Sequence, residues 1–358
     1  MTHPVQHRLA RRLGVAVTAL ALVALAACGG GSGASGGGGS AGGSADKTIR
    51  IGYQKFPSGD LIVKNKKLLE TALPDYTIEW SAFDSGASIN TAYIAKSIDV
   101  AAIGSSPVAR GLSQPLNIPY QVAFVLDVAG DNEALVARNA SGVTDVAGLR
   151  GKKVATSFSS TAHYSLLAAL NQAGLSDKDV DLVDLEPQDI ASAWKRGDID
   201  AAYTWLPVLD TLRKDGKQLV ASKELATAGK PTLDLGVVST DFITQHPEAV
   251  DAWRQAEASA LDTIKNDPTA ASTAIGAELG ISPEEAAGQI AQGVYLTPAE
   301  LASPTWLGTD GKPGNVAKNL HDAAVFLNGQ KQIPAVPEQS VFDSAIYTKG
   351  LPGVLSQS

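Results

Sequence analysis

Twice along this chain, short apolar strands alternate with helical segments of 8 to 12 residues, and that repeat constrains the fold more than any other feature. The first run predicts strands over 49–53, 76–80 and 99–104, with a helix over 88–95 between the last two. The second predicts a strand over 153–156, a helix over 161–172, a strand over 180–183, a helix over 187–196 and a strand over 199–203. Strands that alternate with helices in this way form parallel sheets covered on both faces. Two such runs in series predict two α/β lobes. A further strand is expected over 233–239, and beyond it the chain is mostly helical. One helix opens at His246-Pro247, with Val250 and Trp253 on its apolar face. Ser282-Pro283-Glu284-Glu285 supplies an N-cap, a proline at the first position and a glutamate at the third for a helix running to about 291. The last helix is expected over 316–327, and this tail should cover the first lobe.

The N-terminus has a different character. Arg8, Arg11 and Arg12 precede 14 uncharged residues, 14–27, too few to cross about 30 Å of hydrocarbon as a helix. Leu25-Ala26-Ala27-Cys28 closes that stretch and resembles a bacterial lipoprotein signal, in which the cysteine thiol takes a lipid and becomes the first mature residue. Residues 1–27 are therefore expected to be removed, and the membrane is expected to hold the chain through a lipid on Cys28. Residues 28–46 are nearly all Gly, Ser and Ala, a composition expected to act as a tether. The body would then sit on the extracytoplasmic face of the cell membrane as a lipid-anchored monomer.

With the three signal arginines set aside, 26 of the 29 basic residues remain against 37 acidic ones, a net charge of -11. An acidic body disfavours nucleic acid as a partner. Cys28 is the only cysteine, so a lipid there leaves no disulfide and no thiol chemistry. Five scattered histidines suggest no metal site, and no cofactor is expected.

Three segments place small hydroxyl residues between a strand end and a helix start: Asp84-Ser85-Gly86, Gly104-Ser105-Ser106-Pro107 and Ser160-Thr161-Ala162-His163. At the carboxyl ends of strands such starts offer unpaired N–H groups to an anion, or the hydroxyls simply cap their own helices. Glu133 and Asp234 lie in or beside apolar strand material, where a carboxylate needs a bound ammonium, a salt bridge or a solvated strand end. Tyr203 and Trp205 offer either an aromatic cleft wall or core packing.

Phe83-Asp84-Ser85-Gly86-Ala87-Ser88, Ile103-Gly104-Ser105-Ser106-Pro107, Asn132-Glu133-Ala134-Leu135, Ser160-Thr161-Ala162-His163-Tyr164, Trp194 to Tyr203 and Pro231-Thr232-Leu233-Asp234 together resemble the nitrate/sulfonate/taurine-binding family of bacterial ABC importers, most of all its taurine branch. The resemblance covers about residues 48–345. It implies a two-lobed periplasmic binding protein fold of type II-like form. Lobe 1 would take residues 47–134 plus 236–358, lobe 2 residues 135–235, and the ligand cleft would lie between them. It also implies no catalysis, an ABC permease with its associated ATPase as partner, and taurine or a related aminosulfonate as ligand. Ser85, Gly86, Ser105, Ser106, Thr161 and His163 would meet the sulfonate, Glu133 and Asp234 the amine, and Tyr203 and Trp205 would shape the cavity. Gln54-Lys55-Phe56-Pro57, Ala162 and Thr204 depart from the family pattern, and Lys55 would stand near the cleft mouth. An alkanesulfonate or another small oxyanion or organosulfur solute is the alternative ligand; an amino acid carboxylate would call on Arg110 or Arg138. An enzyme of the same fold, with His163 as its functional residue, and a sensory or receptor-only lipoprotein are the remaining alternatives.

Overall fold

The computed structural model describes residues 47–355; the expected signal peptide, Cys28 and the tether lie outside them. Ten strands of four or more residues follow one another: β1 (Thr48–Tyr53), β2 (Thr77–Ala82), β3 (Val100–Gly104), β4 (Tyr120–Val128), β5 (Glu133–Arg138), β6 (Lys153–Thr156), β7 (Asp181–Asp184), β8 (Ala201–Trp205), β9 (Gly216–Ala221) and β10 (Leu233–Ser239). They form two five-stranded sheets of matching layout, β2-β1-β3-β10-β4 and β7-β6-β8-β5-β9. The strands expected at 153–156 and 233–239 and the helices expected at 161–172 and 187–196 are found at those bounds.

The sheets are mixed, where the sequence predicted parallel ones. In each, the three strands of the α/β run pair in parallel, whereas β10 runs antiparallel to β3 and β4, and β5 antiparallel to β8 and β9. The cause is the route of the chain. β5 and β10 each begin just after a crossing from the other sheet, so they start at the edge where the parallel strands end. That reversal places the first residues of β5 beside the carboxyl end of β8, and those of β10 beside the carboxyl end of β3. The boundaries expected at 134/135 and 235/236 fall inside β5 and β10, and β10 pairs with the first sheet from Leu233 onward.

Ile49, Ile51 and Ile103 are buried in the larger core, which the C-terminal tail completes with Val316, Leu320 and Leu327. Trp253, on the helix Pro247–Asn266, lies over β10 at Gly236, where a Cβ would come within 2.4 Å of the indole. Only glycine admits the ring that close. The helix expected over 316–327 spans Asn315–Gly329 and is not the last, because Gln339–Ser344 and Leu351–Leu355 follow it. From that helix Phe326 also reaches the second sheet's helix Thr161–Gln172, its ring centre 4.6 Å from that of Tyr164. Among the described residues no helix is long and apolar enough to cross a membrane.

Candidate functional site

The crossing strands determine what faces the space between the sheets. Asp234, near the start of β10, opposes Gly104 at the end of β3, and Glu133, the first residue of β5, opposes Trp205 at the end of β8. Around these pairs lies a cavity of about 490 Å³ of empty space including its mouth, lined from both sheets. The helices Gly86–Ile94, Ser105–Leu112 and Thr161–Gln172 start at it, so Gly86, Gly104, Ser160 and Thr161 are among its lining residues. Those starts direct unpaired backbone N–H groups at the space. No Lys, Arg or His is among the lining residues.

Glu133 is buried and accepts four hydroxyl hydrogen bonds: from Thr161 at 2.5 Å, Ser222 at 2.6 Å, Ser165 at 3.2 Å and Thr232 at 3.3 Å. Burial raises its pKa and the hydroxyls pull it back. Three of these donors converge on Oε1 and Thr161 takes Oε2, so the carboxylate is held in place by the fold. Asp234 has no such hydroxyl set. Burial raises its pKa well above the usual carboxylate range, and the neighbouring Asp127 raises it further. Asp234, the carboxylate more in need of a partner, thus lines the cavity beside Glu133.

Of the residues singled out in the sequence, Gly86, Glu133, Thr161, Trp205 and Asp234 line the cavity. The others stand behind it. Ser105 accepts the Leu233 N–H at 3.2 Å and ties the start of β10 to its own helix, while Ser106 is buried with a hydroxyl that no partner reaches. Ser85 donates across the cleft to Glu186 at 2.9 Å, and Ser157 donates to the same carboxylate at 3.2 Å. Tyr203 is fully buried with its hydroxyl 3.0 Å from that of Ser222, which supports Glu133. His163 stacks on Phe158 at 4.6 Å and its Nδ1 accepts the Ser159 N–H at 3.1 Å; burial lowers its pKa to about 4, so the ring is neutral.

Gln54, Phe56 and Asn132 also line the cavity and were not singled out. Gln54 follows the end of β1, so the strand-end rule applied to the other segments would have found it. Lys55 lines a neighbouring pocket with Phe83, Asp84 and Trp205 and not the cavity itself. Arg110 is engaged with Ser159 and Arg138 with the Trp194 carbonyl, and neither lines the cavity. Among the described residues no group of three or more His, Cys, Asp or Glu is placed to hold a metal ion.

Two mixed sheets of matching topology with a cavity between them make the type II periplasmic binding-protein fold. The chain is 37% identical over 270 residues to the taurine-binding periplasmic protein of Escherichia coli, covering 73% of this chain and 80% of that protein. A family model described as NMT1/THI5 like matches residues 118–271. The alkanesulfonate-binding protein SsuA from Xanthomonas axonopodis pv. citri bound to MOPS superposes with a TM-score of 0.69 at 22% identity, over 84% of this chain and 98% of that one. The periplasmic aliphatic sulphonate binding protein SsuA from Escherichia coli gives 0.69 at 21%, over 85% and 92%. The chain belongs to the nitrate/sulfonate/taurine-binding family of solute-binding proteins of ABC importers. It is an extracytoplasmic, non-catalytic component that binds a small anionic solute for an ABC permease and its ATPase.

Proposed function

We propose that the solute is taurine or a closely related aminosulfonate, held with both charged ends inside the cavity. The observation that carries this is the pairing of Asp234 and Glu133 with three helix starts in a space that no basic side chain lines. A sulfonate is anionic at every physiological pH, so backbone N–H and hydroxyl donors suffice to hold it. Its ammonium supplies the positive charge that the two carboxylates lack. Gly86, Thr161 and the start of Ser105–Leu112 take the sulfonate, with Ser105 and Ser106 behind that helix start. Asp234 accepts from the ammonium directly, Glu133 adds a fixed negative charge, and Trp205 walls the space against water. Ser85, His163 and Tyr203 support this arrangement from behind.

An alkanesulfonate in the same pose would bring no ammonium to Asp234 and would forgo that charge-assisted hydrogen bond. An amino acid carboxylate would find no arginine. The halves carrying the two sheets close on the solute, and a lipid on Cys28 with the glycine-rich segment behind it keeps the body near its permease. Calorimetric titration of the full chain in detergent with taurine and with ethanesulfonate tests this directly. Saturable taurine binding with little ethanesulfonate binding is expected, and Asp234→Asn or Glu133→Gln should abolish that preference. Equal taurine binding by wild type and both variants refutes the amine assignment.

A further inference from the structure

Behind Asp234 lies a second aspartate that has no part in the assignment above. Asp127 on β4 is the cross-strand partner of Asp234 on β10, so the two side chains leave the same face of the sheet side by side. Asp127 is fully buried. Its Oδ2 accepts from Asn132 Nδ2 at 3.1 Å, and Asn132 is held in that orientation by the Gly130 N–H, 2.6 Å from its Oδ1. No donor reaches Asp127 Oδ1.

The groups that face this pair offer no other counter-charge. From the second sheet comes Glu133, itself a carboxylate engaged by four hydroxyls. From below comes Asp60, bonded to Ser58, and the partly buried Tyr295 spends its hydroxyl on the Pro57 carbonyl at 2.9 Å. Two adjacent carboxylates without a cation cannot both stay ionised, and a proton on either one makes the O–H···O bond that Asp127 Oδ1 otherwise lacks.

We propose that Asp127 and Asp234 share a proton in the empty cleft and that an ammonium-bearing solute displaces it, so that solute capture releases a proton to the solvent. This rests on the aminosulfonate reading and makes Asp127 the positioning residue for the Asp234 carboxylate. The charges balance: one positive charge arrives on the ammonium and one leaves as H⁺, while Asp127 keeps its bond to Asn132. Burial pushes Asp127 up to about 7 and Asp234 well above the usual range, in keeping with a proton held there near neutral pH. A group whose pKa the ligand lowers gives up its proton on binding, so affinity increases as pH rises through the ligand-free pKa. The dissociation constant for taurine should fall as pH rises, by at most roughly tenfold per pH unit, until the pH passes the ligand-free pKa of the pair.

The test is calorimetry of taurine binding to the full chain in detergent at one pH near 7, in phosphate and in Tris, which differ in heat of ionisation; sulfonate buffers are avoided as competitors. The observed heat should depend on the buffer with a slope of about one proton released per taurine. Asp127→Asn, whose amide can donate to Asp234 but has no proton to give up, should lose that slope and flatten the pH dependence. Asp75→Asn, on the exposed surface beside Lys47, should keep both. A wild-type slope of zero with intact taurine binding overturns the shared proton alone, and it does so even if Asp127→Asn fails to fold. A slope that survives Asp127→Asn, or that vanishes in Asp75→Asn, overturns the assignment to this pair. Absence of taurine binding in every buffer overturns the aminosulfonate reading and the proton coupling with it.

Discussion

Gly104 ends β3 in the first sheet, and a Cβ placed there would come within 2.8 Å of Thr161 Cγ2, which belongs to the second. That is about 0.7 Å or more inside the optimal carbon–carbon separation. Thr161 is β-branched and its hydroxyl is held on Glu133 at 2.5 Å, so it cannot turn away freely. The next contact of that Cβ, Pro107 Cδ at 3.5 Å, is ordinary. Gly104 has φ of -65° and ψ of 153°, which alanine adopts without strain. Gly104→Ala therefore burdens only the form in which the two halves meet. Overpacking of this kind costs about 1–3 kcal/mol, and here it is charged to ligand binding, giving a roughly 5- to 150-fold weaker dissociation constant. The ligand-free protein should melt at the wild-type temperature or slightly above it, since alanine narrows the unfolded ensemble. Calorimetry and thermal unfolding of the same preparation separate the two effects. An unchanged dissociation constant, or weaker binding accompanied by a matching loss of ligand-free melting temperature, refutes closure across this contact.

Gly86→Ala makes the contrasting case: its Cβ would meet Pro107 Cγ at 2.4 Å within one half, so the ligand-free melting temperature itself should fall by several degrees, as a thermal scan would show. Glu186→Ala removes the carboxylate that Ser85 and Ser157 grip from opposite sides of the cleft, and solution scattering should show a more open ligand-free molecule with taurine affinity lowered about fivefold. Burial raises Asp60 to about 6 and Glu257 well above the usual range, so the folded state binds more protons than the unfolded one above about pH 4. Stability of the ligand-free protein contributed by these groups is then present at low pH and lost as pH rises through 6. Asp60→Asn should raise the melting temperature at pH 8 and not at pH 4; an equal effect at both values counts against burial of a charge there.

Strand and helix succession was legible because each element carries its own period, and the helices Thr161–Gln172 and Pro187–Arg196 begin and end on local signals. β4 and β9 were not anticipated. β4 is apolar for most of its length and shows no alternation, and β9 is an edge strand with exposed positions. Missing β4 also concealed Asp127, a lone charge in Val122-Ala123-Phe124-Val125-Leu126-Asp127-Val128. The same reasoning that singled out Glu133 and Asp234 applies to it once the strand is known. The antiparallel course of β5 and β10 follows from long-range connectivity, which no local pattern encodes. Hydroxyl-rich helix starts were found correctly, but whether a given hydroxyl faces the cavity or its own scaffold depends on neighbours far away in sequence. Ser85 meets Glu186, 101 residues on, and Thr161 meets Glu133.

The most direct measurement is a crystal structure of the chain with taurine. The ammonium nitrogen should lie within about 3 Å of an Asp234 oxygen, with Glu133 at its side and the sulfonate against the starts of Gly86–Ile94, Ser105–Leu112 and Thr161–Gln172. Taurine seated in the neighbouring pocket by Lys55, or turned so that its sulfonate faces Asp234, would contradict the proposed capture of both ends of the zwitterion.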